Sequence, residues 1–472
     1  MQPWSGSWSA RRIRVFWVVS RVVLVVLAVV GRTLGAQHGV LGDVRLYDHW
    51  GHGLVHGAGL PVDDNRWQYP PAAAIVLAVP SALEAVTRLP YEVGFFLMIL
   101  AADAAVTGML ARRSASAARF WLLGICALGP VSLARFDLVP AVLVVAALVG
   151  VAHRRWGRVG LAVGLGALAK VWPVLLLPAL GAAGSNGPDP DAGPGLPAVR
   201  ATRLTPRPAL ARLAGGLVAA AVLVAAVLFA AGWWRDSFGF LGAQEARGLQ
   251  TEAVPATPFV LAHMVGLGPG PVYDWGSFQF GSQAARTVAT ACSLVEVAVV
   301  LGTTVWWWRI PRSSRAATDP ASRTLALLLV VLVTSRVLSP QYLVWLLAVA
   351  ACRPLWSGPA TGTGAPAGSP DIPPTRWTRR TCSARSHRWI TIGLPVICLI
   401  SLVVYPIRYD DVLAGRVVAS LFLVVRNLLL VIVCWVAVRE VLRTSRPALL
   451  HPQRQPRQPR PRSWSRRRAE PL

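Results

Sequence analysis

Residues 210–231 read LARLAGGLVAAAVLVAAVLFAA, an apolar run with a single charged side chain, Arg212. At about 1.5 Å of rise per residue, such a run crosses a hydrocarbon layer of roughly 30 Å. Comparable runs recur at 13–34, 91–111, 284–308 and 413–438. The chain has 472 residues, of which 54% are apolar and only 14% charged. That charged share is about half the usual one, which excludes a string of soluble domains. The fold class read from the sequence is an all-α polytopic membrane protein.

The net charge of +26 does not imply nucleic acid, because the 37 Pro and 20 Trp do not interleave with a basic stripe. Lys170 is the only lysine in the chain. Five of the six cysteines, Cys126, Cys292, Cys352, Cys398 and Cys434, lie in apolar segments, and Cys382 lies in a basic loop. With no C-x-x-C pair, the cysteines indicate neither a disulfide framework nor a zinc site. Arg11, Arg12 and Arg14 precede a long apolar run with no A-x-A-like site after it, so 13–34 reads as an uncleaved first span. The expected division is a basic cytoplasmic N-terminus over 1–12, a membrane domain over 13–440 and a disordered basic tail over 441–472.

Arginine-rich connections mark the cytoplasmic side. Arg112 to Arg119, Arg154 to Arg158, Arg200 to Arg207, Arg309 to Arg323, Arg376 to Arg388 and the tail after Arg439 then share that side. Threading the chain this way makes 72–88 a short or re-entrant element. The same holds for 158–169 and 173–181, broken at Lys170-Val171-Trp172-Pro173, with Trp172 the expected break because a residue before proline avoids the helical region. The bundle has about ten membrane helices, or about thirteen if the short elements cross. The outer face receives 35–71, the turn Ala134-Arg135-Phe136-Asp137, Lys170, 232–283, Thr334 to Gln341, and Tyr405 to Asp411. These segments hold 11 of the 21 acidic residues. Loops 181–209 and 353–388 read as flexible cytoplasmic connections, and 450–472 as a disordered segment touching anionic lipid.

The first outer loop, 35–71, reads GAQHGVLGDVRLYDHWGHGLVHGAGLPVDDNRWQYPP. Tyr47, Trp50 and Leu54 fall on one face of a short helix, and His49, His52 and His56 on another. This predicts a helix lying on the membrane surface. Trp67-Gln68-Tyr69 before Pro70-Pro71 predicts an extended return to the bilayer, with its rings at the headgroup level.

An aspartate just after the first span, a tyrosine four residues on, an interfacial helix, a glycine-rich turn and a Tyr-Pro-Pro return together resemble the first outer loop of glycosyltransferase family 87. Three further stretches are similar: Gly164-Leu165-Gly166-Ala167-Leu168-Ala169-Lys170 with Pro173, Arg247-Gly248-Leu249-Gln250-Thr251-Glu252, and Ser339-Pro340-Gln341-Tyr342 with Trp345. The resemblance implies a type C glycosyltransferase bundle. It also implies a mannosyl-type sugar carried on a polyprenyl phosphate, a glycan or glycolipid acceptor, and inverting transfer at the extracytoplasmic face of the cell membrane. Membrane lipids are the expected surroundings; nucleic acid, nucleotide, cofactor and metal are not expected.

The chemistry asks for a carboxylate to take the acceptor's proton, positive charge to meet the departing phosphate, and a cleft for the sugars. Asp43 is the candidate base. Lys170, Arg247 and Arg336 are the candidate phosphate ligands. Asp48, Trp67, Tyr69, Arg135, Asp137, Gln250, Glu252, Gln341 and Tyr342 are the candidate substrate contacts. Each has a plainer alternative: Asp43 as a helix cap, Lys170 as a snorkelling lysine, Arg247 with Glu252 as a loop ion pair, Arg135 and Asp137 as turn residues. His49, His52 and His56 read as a water-facing or sugar-facing surface, not as metal ligands. Asp189-Pro190-Asp191 imitates a nucleotide-sugar motif with no Rossmann unit around it. Asp103, Glu296, Arg416, Arg426 and Asn427 lie inside spans, where paired burial is expected. The rival function is a transporter or flippase for a polyprenyl-linked or lipid substrate.

Sidedness is directly testable. With the native cysteines replaced, a single cysteine in loop 35–71 should react with a membrane-impermeant maleimide on intact cells, and one in loop 353–388 should not. The reverse pattern would overturn the orientation.

Overall fold

A computed structural model describes residues 8–37, 39–180, 206–309, 319–356 and 384–445. Asp189-Pro190-Asp191, Cys382, the tail 450–472 and most of loops 181–209 and 353–388 lie outside the described residues. Six helices are long and apolar enough to cross a membrane: α1 (Ala10–Val30), α4 (Tyr91–Ala111), α9 (Pro206–Ala230), α12 (Gln283–Arg309), α15 (Ala384–Leu402) and α17 (Val417–Ser445). Shorter apolar helices stand among them: α3 (Ala72–Thr87), α5 (Ala115–Leu128), α6 (Leu138–Ala152), α7 (Trp156–Ala169), α13 (Pro320–Thr334) and α14 (Leu343–Cys352). The protein is an all-α polytopic membrane protein.

Length and burial run in opposite directions. The apolar windows of α1 and α12 are only 22% and 11% buried, so their side chains face outward as lipid-facing helices should. Every residue of the ten-residue α14 is buried, and α5 and α6 bury most of theirs. Helices of about 15 residues reach only about 22 Å. The core is therefore built of helices that stop short, and polar residues gather where they stop.

Close packing of α7 on α9 fixes one of these ends. A Cβ on Gly160 would lie 2.0 Å from the Leu213 carbonyl oxygen, and one on Gly216 2.1 Å from that of Gly157. Small residues let the two backbones touch, which is how membrane helices associate without a hydrophobic driving force between them. α7 ends at Ala169, and Lys170 is extended (φ −158°, ψ 127°). The break thus falls at Lys170, two residues before the expected Trp172, which sits inside a 3₁₀ turn over Trp172–Leu175. Pro173 is accommodated in that first turn because the N–H it lacks has no partner there.

Of the charges expected inside spans, Asp103 and Arg426 are buried and paired, whereas Glu296 Oε1 has no hydrogen-bond partner among the described residues and Arg416 falls outside the helices with its side chain 70% exposed. Asp103 accepts from Arg21 at 2.8 and 3.0 Å, from Trp17 Nε1 at 2.5 Å and from Trp121 Nε1 at 2.8 Å. Arg426 meets Glu252 at 3.3 Å, and Asn427 donates to Thr257 at 2.9 Å. The apolar run at 413–438 is divided: α16 (Tyr409–Leu413) ends before Gly415, whose φ of +68° turns the chain, and α17 begins at Val417. Asp411 is clasped there by Arg408 at 2.7 Å and Arg416 at 2.8 Å.

The first loop carries the expected helix, α2 (Gly42–Val55), with Tyr47, Trp50 and Leu54 buried. Trp67 departs from expectation. It is 2% exposed and stands edge-on to Trp50 at 5.2 Å, because α2 folds back over it and takes it away from any headgroup. The loop 232–283 is ordered, with α10 (Gly239–Ala246), α11 (Thr257–Met264) and an antiparallel sheet β1 (Leu249–Gln250), β3 (Ser277–Phe280), β2 (Val272–Asp274) in that spatial order. Trp275 and Gly276 both have positive φ, 48° and 71°, the turn that matches the twist of a two-residue hairpin. Gln68 Nε2 donates to the Trp275 carbonyl at 2.8 Å, and Gln244 Nε2 to that of Gln68 at 2.7 Å. The two loops are thereby joined.

The α7–α9 contact separates two adjacent glycines. Gly216→Ala should destabilise the protein by about 1–3 kcal/mol through overpacking. Gly215→Ala, with nothing within 4 Å of its added Cβ, should be neutral or stabilise by up to about 1 kcal/mol. Thermal melting in detergent measures both, and equal melting temperatures for the two variants would refute the packing.

Candidate functional site

The turn between α5 and α6 is the centre of the site. α5 ends at Gly129, where φ is +76°, and the chain runs through a 3₁₀ turn to Arg135, Phe136 and Asp137 before α6 begins. Arg135 is buried and fully engaged. Its Nη1 donates to the carbonyls of Val40 at 2.9 Å and Ala134 at 2.8 Å, its Nη2 reaches Tyr405 Oη at 3.4 Å, and its Nε meets Asp43 Oδ2 at 2.5 Å. Asp43 lies in the first turn of α2 and makes no side-chain cap; the cap position is Leu41. The capping alternative is thereby removed. Its side chain is 40% exposed while that of Arg135 is 6% exposed, so the carboxylate is held from below and open above.

Two residues along the same turn, Asp137 is wholly buried. Both of its oxygens accept from Lys170 Nζ at 2.8 Å, and Oδ1 also accepts from Trp345 Nε1 at 2.6 Å. The ammonium is ringed by Phe136 at 4.9 Å and by Tyr69, Tyr342 and Trp345 at 5.5 Å each. Burial works against the Lys170 charge, but Asp137 and then the oxygens of Tyr69 and Tyr342 hold its pKa above the ordinary value. Trp345 is stacked between Trp172, at 5.2 Å, and Tyr342, at 4.0 Å. Tyr69 in turn meets Tyr47 of α2 at 3.3 Å between hydroxyls. The cage and the Asp43 helix therefore share a wall.

Lys170, expected at a phosphate, thus has its charge balanced within the protein. The second cationic group differs. Arg336 donates to the Gln244 carbonyl at 2.6 Å, and its backbone carbonyl receives Gln250 N at 2.9 Å. Burial lowers the Arg336 pKa, Glu296 opposes this, and the like charge of Arg247 adds to the lowering. Arg247 Nε is buried without a hydrogen-bond partner among the described residues. Two adjacent guanidinium groups, one with a free buried donor, suit an oxyanion.

The remaining expected contacts divide. Gln250 is a structural tie, donating to Ser339 Oγ at 3.2 Å and accepting from Leu338 N at 3.1 Å. Glu252 is buried against Arg426 and is not the expected loop partner of Arg247; burial pushes its carboxyl up to about 7, with Arg426 opposing. Trp67 is a wall inside the first loop. Asp48 is drawn to His52, whose other ring nitrogen meets Glu84. Gln341 and Tyr342 lie in a 3₁₀ turn over Pro340–Tyr342, half-buried. Phe136, Trp345 and Tyr405 were missing from the expected set. Trp345 already stood in the Ser339–Tyr342 motif, whereas no sequence signal linked Tyr405 to Arg135 across 270 residues.

A family model described as Glycosyltransferase family 87 matches residues 67–340, more than half of the chain. The chain belongs to glycosyltransferase family 87. Comparison with curated proteins and with solved structures returns no match. Membership makes this family 87 protein a membrane glycosyltransferase and decides against the transporter reading. The matched stretch contains Tyr69, Arg135, Asp137, Lys170, Arg247, Gln250, Glu252 and Arg336. Asp43 lies outside it and joins the site through Arg135.

The buried Lys170–Asp137 pair should be structural as much as functional. Lys170→Met strands a buried carboxylate and should lower stability by about 3–5 kcal/mol. The double variant Lys170→Met with Asp137→Asn should recover part of that loss. Melting temperatures decide it: a double variant no more stable than the single would show that the pair is not the cause.

Proposed function

We propose that this family 87 glycosyltransferase moves a mannosyl-type sugar from a polyprenyl phosphate to a glycan or glycolipid, in one inverting step at the extracytoplasmic face of the cell membrane. The observation that carries this reading is the half-open Asp43 carboxylate, oriented by a buried Arg135 and joined through the outer loops to the Arg247–Arg336 pair. Asp43 accepts the proton of the acceptor hydroxyl as that oxygen bonds to the anomeric carbon. The bond from that carbon to the phosphate oxygen breaks, and its electrons leave with the polyprenyl phosphate, which gains one negative charge. Arg247 and Arg336 meet that charge. Tyr69 and Tyr342 offer aromatic surface at the edge of the cage, and Arg135 is a positioning residue that sets the direction of the Asp43 lone pairs.

Lys170 has a different place in this scheme from the one expected from sequence. Its ammonium is neutralised by Asp137, so it holds the wall of the cleft, and the phosphate falls to the arginines. An arginine pair suits the task, since guanidinium donors engage a phosphate's oxygens in a fixed plane.

The test is transfer by purified protein in lipid nanodiscs, with radiolabelled polyprenyl-phosphate mannose as donor and membrane glycolipid as acceptor. Asp43→Asn should lower the rate by about 10²–10⁴-fold with donor binding retained, and Asp63→Asn, in the same loop, should match wild type. Arg247→Ala should weaken both donor binding and turnover. Wild-type transfer by Asp43→Asn would refute the base assignment. A rate that falls as pH drops through about 7 and is lost in Glu252→Gln would move the base to Glu252.

A further inference from the structure

The helix α2 carries a second polar face that the transfer reaction does not use. Asp48, His52 and His56 stand one turn apart along it, and Asp48 lies five residues beyond Asp43, about 140° around the helix. Across from them is Glu84, in the last turn of α3. The two helices are in backbone contact at this level. A Cβ on Gly51 would lie 2.5 Å from Ser81 Oγ and 2.7 Å from the Leu77 carbonyl oxygen, so Glu84, one turn after Ser81, is held beside the third turn of α2.

The side chains converge. His52 Nδ1 lies 2.7 Å from Asp48 Oδ1, and His52 Nε2 lies 3.2 Å from Glu84 Oε2. One donor atom from each of the three residues lies within 4.8 Å of the other two. Asp48 Oδ1 and Glu84 Oε2 are buried atoms with no hydrogen-bond partner beyond their contact with this imidazole. The ring is anchored at the edge that faces Asp48, where Nδ1 also contacts the Asp48 carbonyl at 3.1 Å. A backbone carbonyl at Nδ1 fixes the tautomer that presents an Nε2 lone pair, the arrangement that supports metal-ligating histidines. His56 repeats it one turn on, with Nδ1 at 2.8 Å from the His52 carbonyl and its ring parallel to that of His52 within 8°.

We propose that Asp48, His52 and Glu84 form a divalent-cation site of the zinc type that pins α2 to α3. One imidazole and two carboxylates carry two negative charges, which match a dication. The mixed nitrogen and oxygen set suits zinc, whereas calcium and magnesium take six or more oxygens in most sites. Zinc bonds of about 2.0–2.2 Å in tetrahedral geometry place donors about 3.3 Å apart. His52 Nε2 and Glu84 Oε2 already stand 3.2 Å apart, and Asp48, which now faces Nδ1, completes the set by rotating its carboxylate toward Nε2; these side chains are 31–44% exposed. The exposure also leaves an entry path, and water completes the coordination. The site is separate from Asp43 and does not depend on which sugar is transferred.

The experiment uses full-length protein without a histidine tag, purified in detergent, stripped with EDTA and titrated with zinc chloride against a chromophoric chelator. Wild type should bind one zinc ion more than His52→Ala and more than Glu84→Gln, and Asp48→Asn should bind it more weakly than wild type. Zinc should raise the melting temperature of wild type and leave that of His52→Ala unchanged. Calcium or magnesium in the same range should not displace it. If His52→Ala fails to fold, Glu84→Gln carries the same comparison from the other helix. Equal zinc binding by wild type and Glu84→Gln, or none by wild type, would overturn the proposal and leave an imidazolium between two carboxylates.

Discussion

A single ammonium enclosed by four aromatic rings requires its carboxylate. The Lys170 side chain is 10% exposed and that of Asp137 is wholly buried, so each charge is tolerable only because the other is 2.8 Å away. Cation–π attraction adds about 0.5–2 kcal/mol in such a setting, which supports the pair without replacing it. The pair ties the break after α7 to the turn before α6, and Trp345 adds α14 to the same carboxylate. Arg135 stands on that turn and holds Asp43. The position of the candidate base thus depends on a buried ion pair in which it takes no part.

Short helices give the polar residues somewhere to be. A helix that ends inside a membrane protein leaves backbone carbonyls and amides that need partners. At the end of α5 the Gly129 amide takes the carbonyls of Ile125 and Cys126, and beyond it Arg135 covers the loop carbonyls of Val40 and Ala134. The guanidinium that meets Asp43 therefore also satisfies carbonyls of the chain between helices. Site and scaffold use the same donors, which is why the turn tolerates so much buried charge.

The two cationic groups behave differently because of what surrounds them. Lys170 faces a carboxylate that takes its charge in full. Arg336 feels Glu296 first and then the like charge of Arg247. An anion entering the protein gains more from the second arrangement than from the first, since it need not displace a bound carboxylate. The loops that carry these arginines are held to the first loop through Gln68 and Gln244, so the proposed donor and base groups belong to connected loops.

Local pattern and composition were enough for the membrane class, a short helix in the first loop with Tyr47, Trp50 and Leu54 on one face, the break near Lys170, and the family resemblance. Each rests on residues close in sequence, where helix periodicity and apolar length act directly. Partner choice was not legible. Lys170 meets Asp137 across 33 residues, Arg135 meets Val40 across 95 and Tyr405 across 270, and no local rule selects among the available charges. Trp67 has the composition of a headgroup anchor and becomes core, because whether a ring meets lipid or protein depends on what folds over it. The sequence alone determined which residues must find partners or burial; only the tertiary structure decided which partners, since a charge in a medium of low dielectric is stabilised by the group a few ångströms away and not by its neighbours along the chain.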